Sequence, residues 1–309
     1  MHFHSHGKLL ITGEYLVLDG ARALAVPTRQ GQSLEVEVVD GQQGIVHWLS
    51  FAADGGLWFE GWFDLASGLY LKGTDHPTGT RLQQLFQAAL GQQSPKLAEL
   101  PGHSLRVQTR LDFPRNWGLG SSSTLVANLA QWWDLDPYLL LAQSFGGSGY
   151  DLACARAEGP IFYQLAGKTP LVDKAPFSPP FAEGLYFLFL EQKQDSREGI
   201  ARYRKRQGMQ PEAIEAISRL AGQATQVNGL TDFQELITRH EQIISQVIGF
   251  QPIKQRLFQD LPGAVKSLGA WGGDFALVAS DLPFEALQAY FSKRNYPLLI
   301  PYQEMVFHA

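Results

Sequence analysis

Phe113-Pro-Arg-Asn-Trp-Gly-Leu-Gly-Ser-Ser-Ser-Thr124 joins two patterns of different period. Before it, Leu105, Val107, Thr109 and Leu111 alternate as on a strand; after it, Leu125, Val126, Leu129, Ala130 and Trp133 recur as on one face of a helix. Gly118 and Gly120 open backbone conformations closed to other residues, so consecutive N–H groups can point into one concavity. A glycine turn feeding a helix N-terminus gathers unpaired N–H donors and the positive end of the dipole, which suits a phosphate. No Gly-Lys-Ser/Thr closes the stretch, so it is not a Walker A loop. The plainer alternative is a flexible turn with a serine capping the helix.

The rest of the composition narrows the class. A chain of 309 residues with 45% hydrophobic and 18% charged residues can bury a large core, and its length suggests two domains. The formal net charge of -5 argues against a nucleic-acid surface. One cysteine, Cys154, leaves no internal disulfide and fits a reducing cytoplasm. Apolar runs such as Tyr186–Leu190 are far short of the ~20 residues that span a bilayer, and no charged-then-apolar leader opens the chain.

Along the chain, His2, His4 and His6 alternate as on one face of a strand, without a nearby acidic or cysteine partner in sequence; a strand edge is the expectation. Gly7–Tyr15 reads as a short strand bracketed by glycines, with Lys8 either a solvated end charge or a cation aimed at a phosphate. Strands are expected over 34–39, 46–51, 57–65, 105–111, 161–165, 185–190, 265–268, 275–279 and 298–300. Helices are expected around Leu82–Ala89, after Ser123, from Asp136-Pro137, over 211–227, 233–248 and 252–261, and over 284–293. Asp151 stands just past Gly147-Ser-Gly149 at a helix start, where an aspartate often serves as a cap. Pro176–Pro180 is the best candidate linker, and Arg197–Arg206 is a basic segment that reads either as a solvated helix face or as a surface that meets an anionic substrate.

Three glycine-rich blocks, in order and spread over nearly the whole chain, resemble the three motifs of the GHMP kinases, the family of galactokinase, homoserine kinase, mevalonate kinase and phosphomevalonate kinase. They are Gly7-Lys-Leu-Leu-Ile-Thr-Gly-Glu-Tyr15 with Gly20 downstream, Pro114-x-x-x-Gly-Leu-Gly-Ser-Ser122, and Lys266-Ser-Leu-Gly-Ala-Trp-Gly-Gly-Asp274. Glu14-Tyr15, Gln143 followed by Gly147-Ser-Gly-Tyr-Asp151, and the Gly-Gly-Asp ending are closest to the phosphomevalonate kinase pattern. The resemblance implies an α+β fold of two domains: residues 1–175 like ribosomal protein S5 domain 2, and residues 181–309 ferredoxin-like.

It further implies transfer of the ATP γ-phosphoryl group to a small molecule, with Mg²⁺, in the cytoplasm, by a monomer or homodimer that needs neither nucleic acid nor membrane. Trp117, Gly118, Leu119, Gly120, Ser121, Ser122 and Ser123 would hold the nucleotide, and Ser122 would ligate the metal. Lys8 and Asp151 match the catalytic lysine–aspartate pair. Glu14, Tyr15, Ser148, Gly149, Gly269, Gly272 and Gly273 would meet the acceptor. The chain departs from the family pattern in three places. No acidic residue lies between Pro137 and Ser144, where related kinases carry a magnesium-binding glutamate; Trp271 replaces a small residue; and His6 stands where proline is common. Three readings follow: a kinase of mevalonate or phosphomevalonate in isoprenoid biosynthesis, a kinase of another acceptor such as a sugar or amino-alcohol, or a ligand-binding protein of this fold without turnover.

Overall fold

The computed structural model describes residues 1–40, 42–100, 102–191, 196–205, 210–269, 271 and 273–309, the side chains of 196–198 and 202 excepted. The chain forms two compact units. The first comprises Met1–Gly7, Gln30–Arg115 and Leu119–Arg156; the second comprises Lys8–Arg29, Asn116–Gly118 and Ala157–Ala309. Two strands, β1 (His2–Thr12) and β2 (Ala23–Val39), each run from one unit into the other.

The first unit adds β3 (Ile45–Phe51), β4 (Leu57–Asp64), β5 (Tyr70–Gly73), α1 (His76–Gly91), α2 (Pro95–Ala98), β6 (Ser104–Leu111), α3 (Ser121–Trp133), α4 (Pro137–Ala142) and α5 (Tyr150–Ala155). Its sheet runs β5-β4-β3-β6-β2, with β3 parallel to β6 and the other neighbours antiparallel. Period-2 alternation turns Leu34, Val36, Val46, Trp48, Phe59, Phe63, Leu105 and Val107 into one core with α1 and α3. Phe86 of α1 stacks on Phe63 at 5.4 Å between ring centres and meets Trp133 of α3 at 5.1 Å. Polar pairs orient α3 within this core. Ser5 Oγ donates to Asn128 Oδ1 (2.8 Å), Asn128 Nδ2 to Gln32 O (2.8 Å), and Thr124 Oγ1 to Gln32 Oε1 (2.6 Å). Buried groups with such directional partners fix one rotation of the helix, where apolar contact alone would tolerate several.

The second unit adds β7 (Ile161–Ala166), β8 (Thr169–Lys174), β9 (Leu185–Phe189), α6 (Ser196–Lys205), α7 (Pro211–Ala224), α8 (Leu230–Ile248), α9 (Ile253–Leu257), β10 (Ala264–Ser267), β11 (Phe275–Ala279), α10 (Phe284–Ser292), β12 (Leu299–Pro301) and α11 (Tyr302–Met305). The N-terminal part of β2 pairs with β7, and β7 with β8. A separate antiparallel sheet runs β10-β11-β9-β12. Every residue of β9 and β11 is buried, which explains why these strands read as unbroken apolar runs and not as alternating ones. One core of this unit joins Tyr186, Leu188, Val265, Ala276 and Val278 to Ile253, Phe258, Leu287 and Phe291.

The mixed α+β content is as expected, and Asp136 caps α4 through Tyr138 N and Leu139 N. Four short elements escaped the pattern reading. β5 and β8 are mostly exposed, so neither shows alternation, and α2 and α11 are only four residues each. Pro176–Pro180 is irregular, with Phe177 buried against Phe233 and Tyr302. Among the described residues no helix is long and apolar enough to cross a membrane.

Candidate functional site

The glycines at 118 and 120 take the backbone conformations expected of them. Gly118 has φ 63° and Gly120 φ 92°, both in the left-handed region. The N-cap of α3 is Gly120, with no side-chain capping bond, so the serine-cap alternative does not hold. Thr124 N donates to Gly120 O at 3.0 Å and closes the first helical turn. The amides of Ser121, Ser122 and Ser123 therefore lie ahead of the first intrahelical bond, at the positive end of a helix of 13 residues. Ser121 and Ser122 are exposed, Ser123 is half-buried and Leu119 is fully buried as the anchor of the turn.

Asn116–Gly118 belongs to the second unit, where Trp117 sits against Phe189 of β9 and edge-on to Phe275 of β11. A Cβ at position 118 would overlap the Asp274 carboxylate, so glycine is required there for space as well as for φ. Lys8 Nζ donates to Gly118 O at 3.1 Å. The first and second glycine blocks thus meet, through a lysine of β1.

Tyr15 carries φ 61° and ψ -50°, an uncommon conformation for a bulky residue, and leads into a 3-10 turn over Leu16–Asp19. Its ring meets that of Tyr203 of α6 in a tilted pair, 5.6 Å between ring centres, and the Tyr203 hydroxyl donates a hydrogen bond to Asp19. Of the basic segment, Arg204 and Lys205 are exposed, while Arg206 and the side chains of Arg197 and Arg202 lie outside the described residues.

Asp151 stands in the first turn of α5, whose N-cap is Gly149 (φ 88°), so the aspartate is not the cap residue. It is partly buried, beside buried Leu152, and belongs with Ser148 and Gly149 to the first unit, whereas Lys8 belongs to the second. In the third glycine block Gly269 has φ 62°, and Leu268 N donates to Phe275 O at 3.1 Å to close the base of the loop. Gly272 lies outside the described residues; Gly273 is buried. Trp271, which departs from the small residue expected, is buried with φ 40°, and its indole N–H has no hydrogen-bond partner among the described residues.

Glu14, expected from the sequence to meet the acceptor, is instead enclosed in a buried cluster within the second unit, whose other members sequence reading did not single out. Glu14 is fully buried, and its Oε1 accepts from Lys266 Nζ of β10. Its Oε2 lies 3.3 Å from His240 Nε2 of α8, the same nitrogen that accepts from Gly13 N at 3.0 Å. Lys266 Nζ also donates to Ser267 O at 2.7 Å. The neighbouring Glu241 accepts from Ser267 N, Ser267 Oγ and Ile253 N at 3.0–3.2 Å. Burial pushes the Glu14 carboxyl up against the opposing pull of Lys266, pushes Glu241 up to about 7, and holds His240 well below its usual 6.5, aided by the Lys266 charge. His240-Glu241 falls on the apolar stripe Phe233, Ile237, Ile244 and Ile248 of α8, and that misplaced polarity was the available signal.

His4, on the exposed face of β1, pairs with Asp112 at 3.3 Å. Among the described residues no group of three His, Cys, Asp or Glu side chains could hold a metal ion. A magnesium ion here would rely on the Ser122 hydroxyl, water and the phosphates of a nucleotide, a donor set that suits this hard and reluctantly dehydrated cation.

No family profile matches the chain, and no curated protein matches it in sequence. Its fold, however, is that of the GHMP kinases. Methanococcus jannaschii mevalonate kinase superposes with a TM-score of 0.67 at 14% identity, over 96% of this chain and 94% of that one. Streptococcus pneumoniae phosphomevalonate kinase, solved with phosphomevalonate and AMPPNP, gives 0.68 at 17% identity over 97% and 99%. Lactococcus lactis galactokinase, complexed with galactose, gives 0.66 at 15% identity over 100% and 93%.

Proposed function

We propose that this protein is an ATP-dependent phosphotransferase acting on a small molecule. The observation that carries the reading is the Gly118–Gly120 turn: it leaves the N-terminal amides of α3 uncapped and bears Lys8 on its first carbonyl. Phosphoryl transfer passes through a loose anionic transition state, so the protein has to supply position and positive potential more than covalent chemistry. The amides of Ser121–Ser123 and the helix dipole bind the nucleotide phosphates. Ser122 would hold a magnesium ion, which would supply neutralisation of phosphate charge.

Lys8 and Asp151 are the reacting pair, Lys8 meeting the transferred group and Asp151 orienting the acceptor. Where the acceptor is a hydroxyl, Asp151 takes its proton; where it is already a phosphate, Asp151 positions and polarises Lys8. By the motif resemblance, Tyr15, Ser148, Gly149, Gly269 and Gly273 would meet the acceptor, together with Gly272, which lies outside the described residues. Mevalonate and phosphomevalonate are the first acceptors, on the strength of the Glu14-Tyr15 and Gly-Gly-Asp274 residue patterns and the similarity in fold to kinases of both. A sugar is the second reading, favoured by the comparable similarity to galactokinase.

The test is ADP release coupled to a panel of mevalonate, phosphomevalonate, galactose and amino-alcohols. Turnover with one acceptor well above the rest is expected. No ADP release with any acceptor, from a protein that still binds an ATP analogue, would favour a ligand-binding protein of this fold.

A further inference from the structure

We propose that Glu14, with Lys266 and His240, is a positioning group that holds the end of the Lys8 strand and the glycine loop after β10 in one alignment, and that it does not contact the acceptor. The proposal deepens the kinase reading and rests on it for its consequences in turnover. The geometry itself is independent of that reading.

Its first support is burial. Glu14, Lys266 and His240 have no exposed surface, and Glu241 has almost none, so none of their polar atoms faces a ligand space. The second is connectivity. The cluster joins Gly13 and Glu14, which follow β1, to His240 and Glu241 on α8, to Lys266 and Ser267 at the end of β10, and to Ile253 at the start of α9. Lys8 stands on β1, on one side of this clamp. On the other, the loop from Leu268 leads to Asp274, which crowds Gly118, the residue whose carbonyl receives Lys8. A shift at Glu14 therefore moves both partners of the Lys8–Gly118 contact.

The third support is energetic. A buried ion pair commonly adds little net stability over well-packed apolar residues, because desolvation opposes the Coulomb attraction. Here the polar groups are also imperfectly matched: His240 Nε2 accepts from Gly13 N while Glu14 Oε2 lies beside it, and among the described residues neither Glu14 Oε2 nor His240 Nδ1 has a hydrogen-bond partner. Such a network is a poor source of stability. What it does supply is direction, because each charged or polar contact specifies one distance and one angle where apolar packing would not.

The experiment compares Glu14→Gln, Lys266→Met and the charge-balanced double variant with the parent. Each single change leaves a buried unpaired group and lowers the melting temperature; the double variant recovers most of that loss. In the folded double variant, amide exchange at Gly13–Leu16 and at Leu268, Gly269 and Asp274 is expected to speed up about tenfold while exchange in α3 stays at the parent level. With the best acceptor, kcat falls by roughly tenfold or more and the acceptor KM changes less than about threefold. Parent-like exchange in both loops would overturn the proposal, as would a raised acceptor KM with kcat unchanged, which is the signature of a substrate contact. If no acceptor is found, the exchange measurement decides alone, so failure of the kinase reading and failure of this one stay separate. Should the double variant not fold, Glu14→Asp keeps the charge and shortens its reach: faster exchange in both loops is again expected, and parent-like exchange overturns the proposal.

Discussion

Lys8 Nζ and the carbonyl of Gly118 are joined by a 3.1 Å hydrogen bond although the residues stand 110 positions apart. The lysine comes from a strand and the carbonyl from a glycine turn that Asp274 crowds from the other side. An ammonium so held has a fixed location, and a fixed cation stabilises an anion without reorganising when the anion arrives. This relationship motivates the first two of four predictions.

Replacing Lys8 by Met, or Asp151 by Asn, should leave the fold and the affinity for an ATP analogue nearly unchanged while kcat falls by roughly 10²-fold or more. The double variant should cost far less than the product of the singles, as expected of two groups that serve one step of the proposed reaction. Melting temperature and kcat measured on the same samples check this. A lowered melting temperature with unchanged kcat would assign Asp151 to structure.

Gly118→Ala should weaken binding of an ATP analogue by more than about tenfold, since the added Cβ meets the Asp274 carboxylate and the left-handed φ is strained for alanine. Adding Asp274→Ala removes the overlap but not the φ strain, so it should restore only part of the affinity. Calorimetric titration of the three proteins is the measurement; full restoration would mean that space alone demands the glycine.

Ser122→Ala should raise the Mg²⁺ concentration needed for half-maximal rate, because a hard cation loses an oxygen ligand. Titrating Mg²⁺ at saturating ATP for alanine variants of Ser121, Ser122 and Ser123 ranks the three. A larger effect at Ser121 or Ser123 would move the ligand within the loop and leave the loop's role intact.

Glu241 gives a pH prediction with a definite sign. Burial lifts its carboxyl from the usual 4.5 to about 7, so across that window the folded protein holds a proton that the unfolded chain has released. Its contribution to stability is therefore greatest below about pH 4.5 and falls as pH rises through about 7. His240, held below 6.5, works the other way and costs stability as pH drops under that value. Glu241→Gln removes the first effect only. The variant should gain on the parent between about pH 5 and about pH 8, by at most roughly 3 kcal/mol at about 1.36 kcal/mol per pKa unit. Urea midpoints across that range test it; a pH-independent difference would show that Glu241 does not ionise as its surroundings require.

Much of the local structure was legible because local interactions decide it. Asp136-Pro137 starts α4, and the alternation of Leu105 to Leu111 becomes β6 with inward and outward faces as read. Gly118 and Gly120 take the left-handed conformations that glycine was expected to supply. The exposed edge strand β8 left no such trace, since a strand with hardly any buried residue has no pattern to print on the sequence.

By itself, the sequence determined that the backbone turns left-handed at Gly118 and Gly120, that helices start after Gly120 and at Pro137, and the order of the three glycine blocks, because each depends on a few neighbouring residues. Only the tertiary structure decided which distant groups share a space. It buried Glu14 against Lys266 and His240, turned Trp271 inward, and placed Asp274 over Gly118. Burial of a charge is a property of everything packed around it, and a carboxylate far from its partner in sequence carries no local mark of the lysine that will neutralise it.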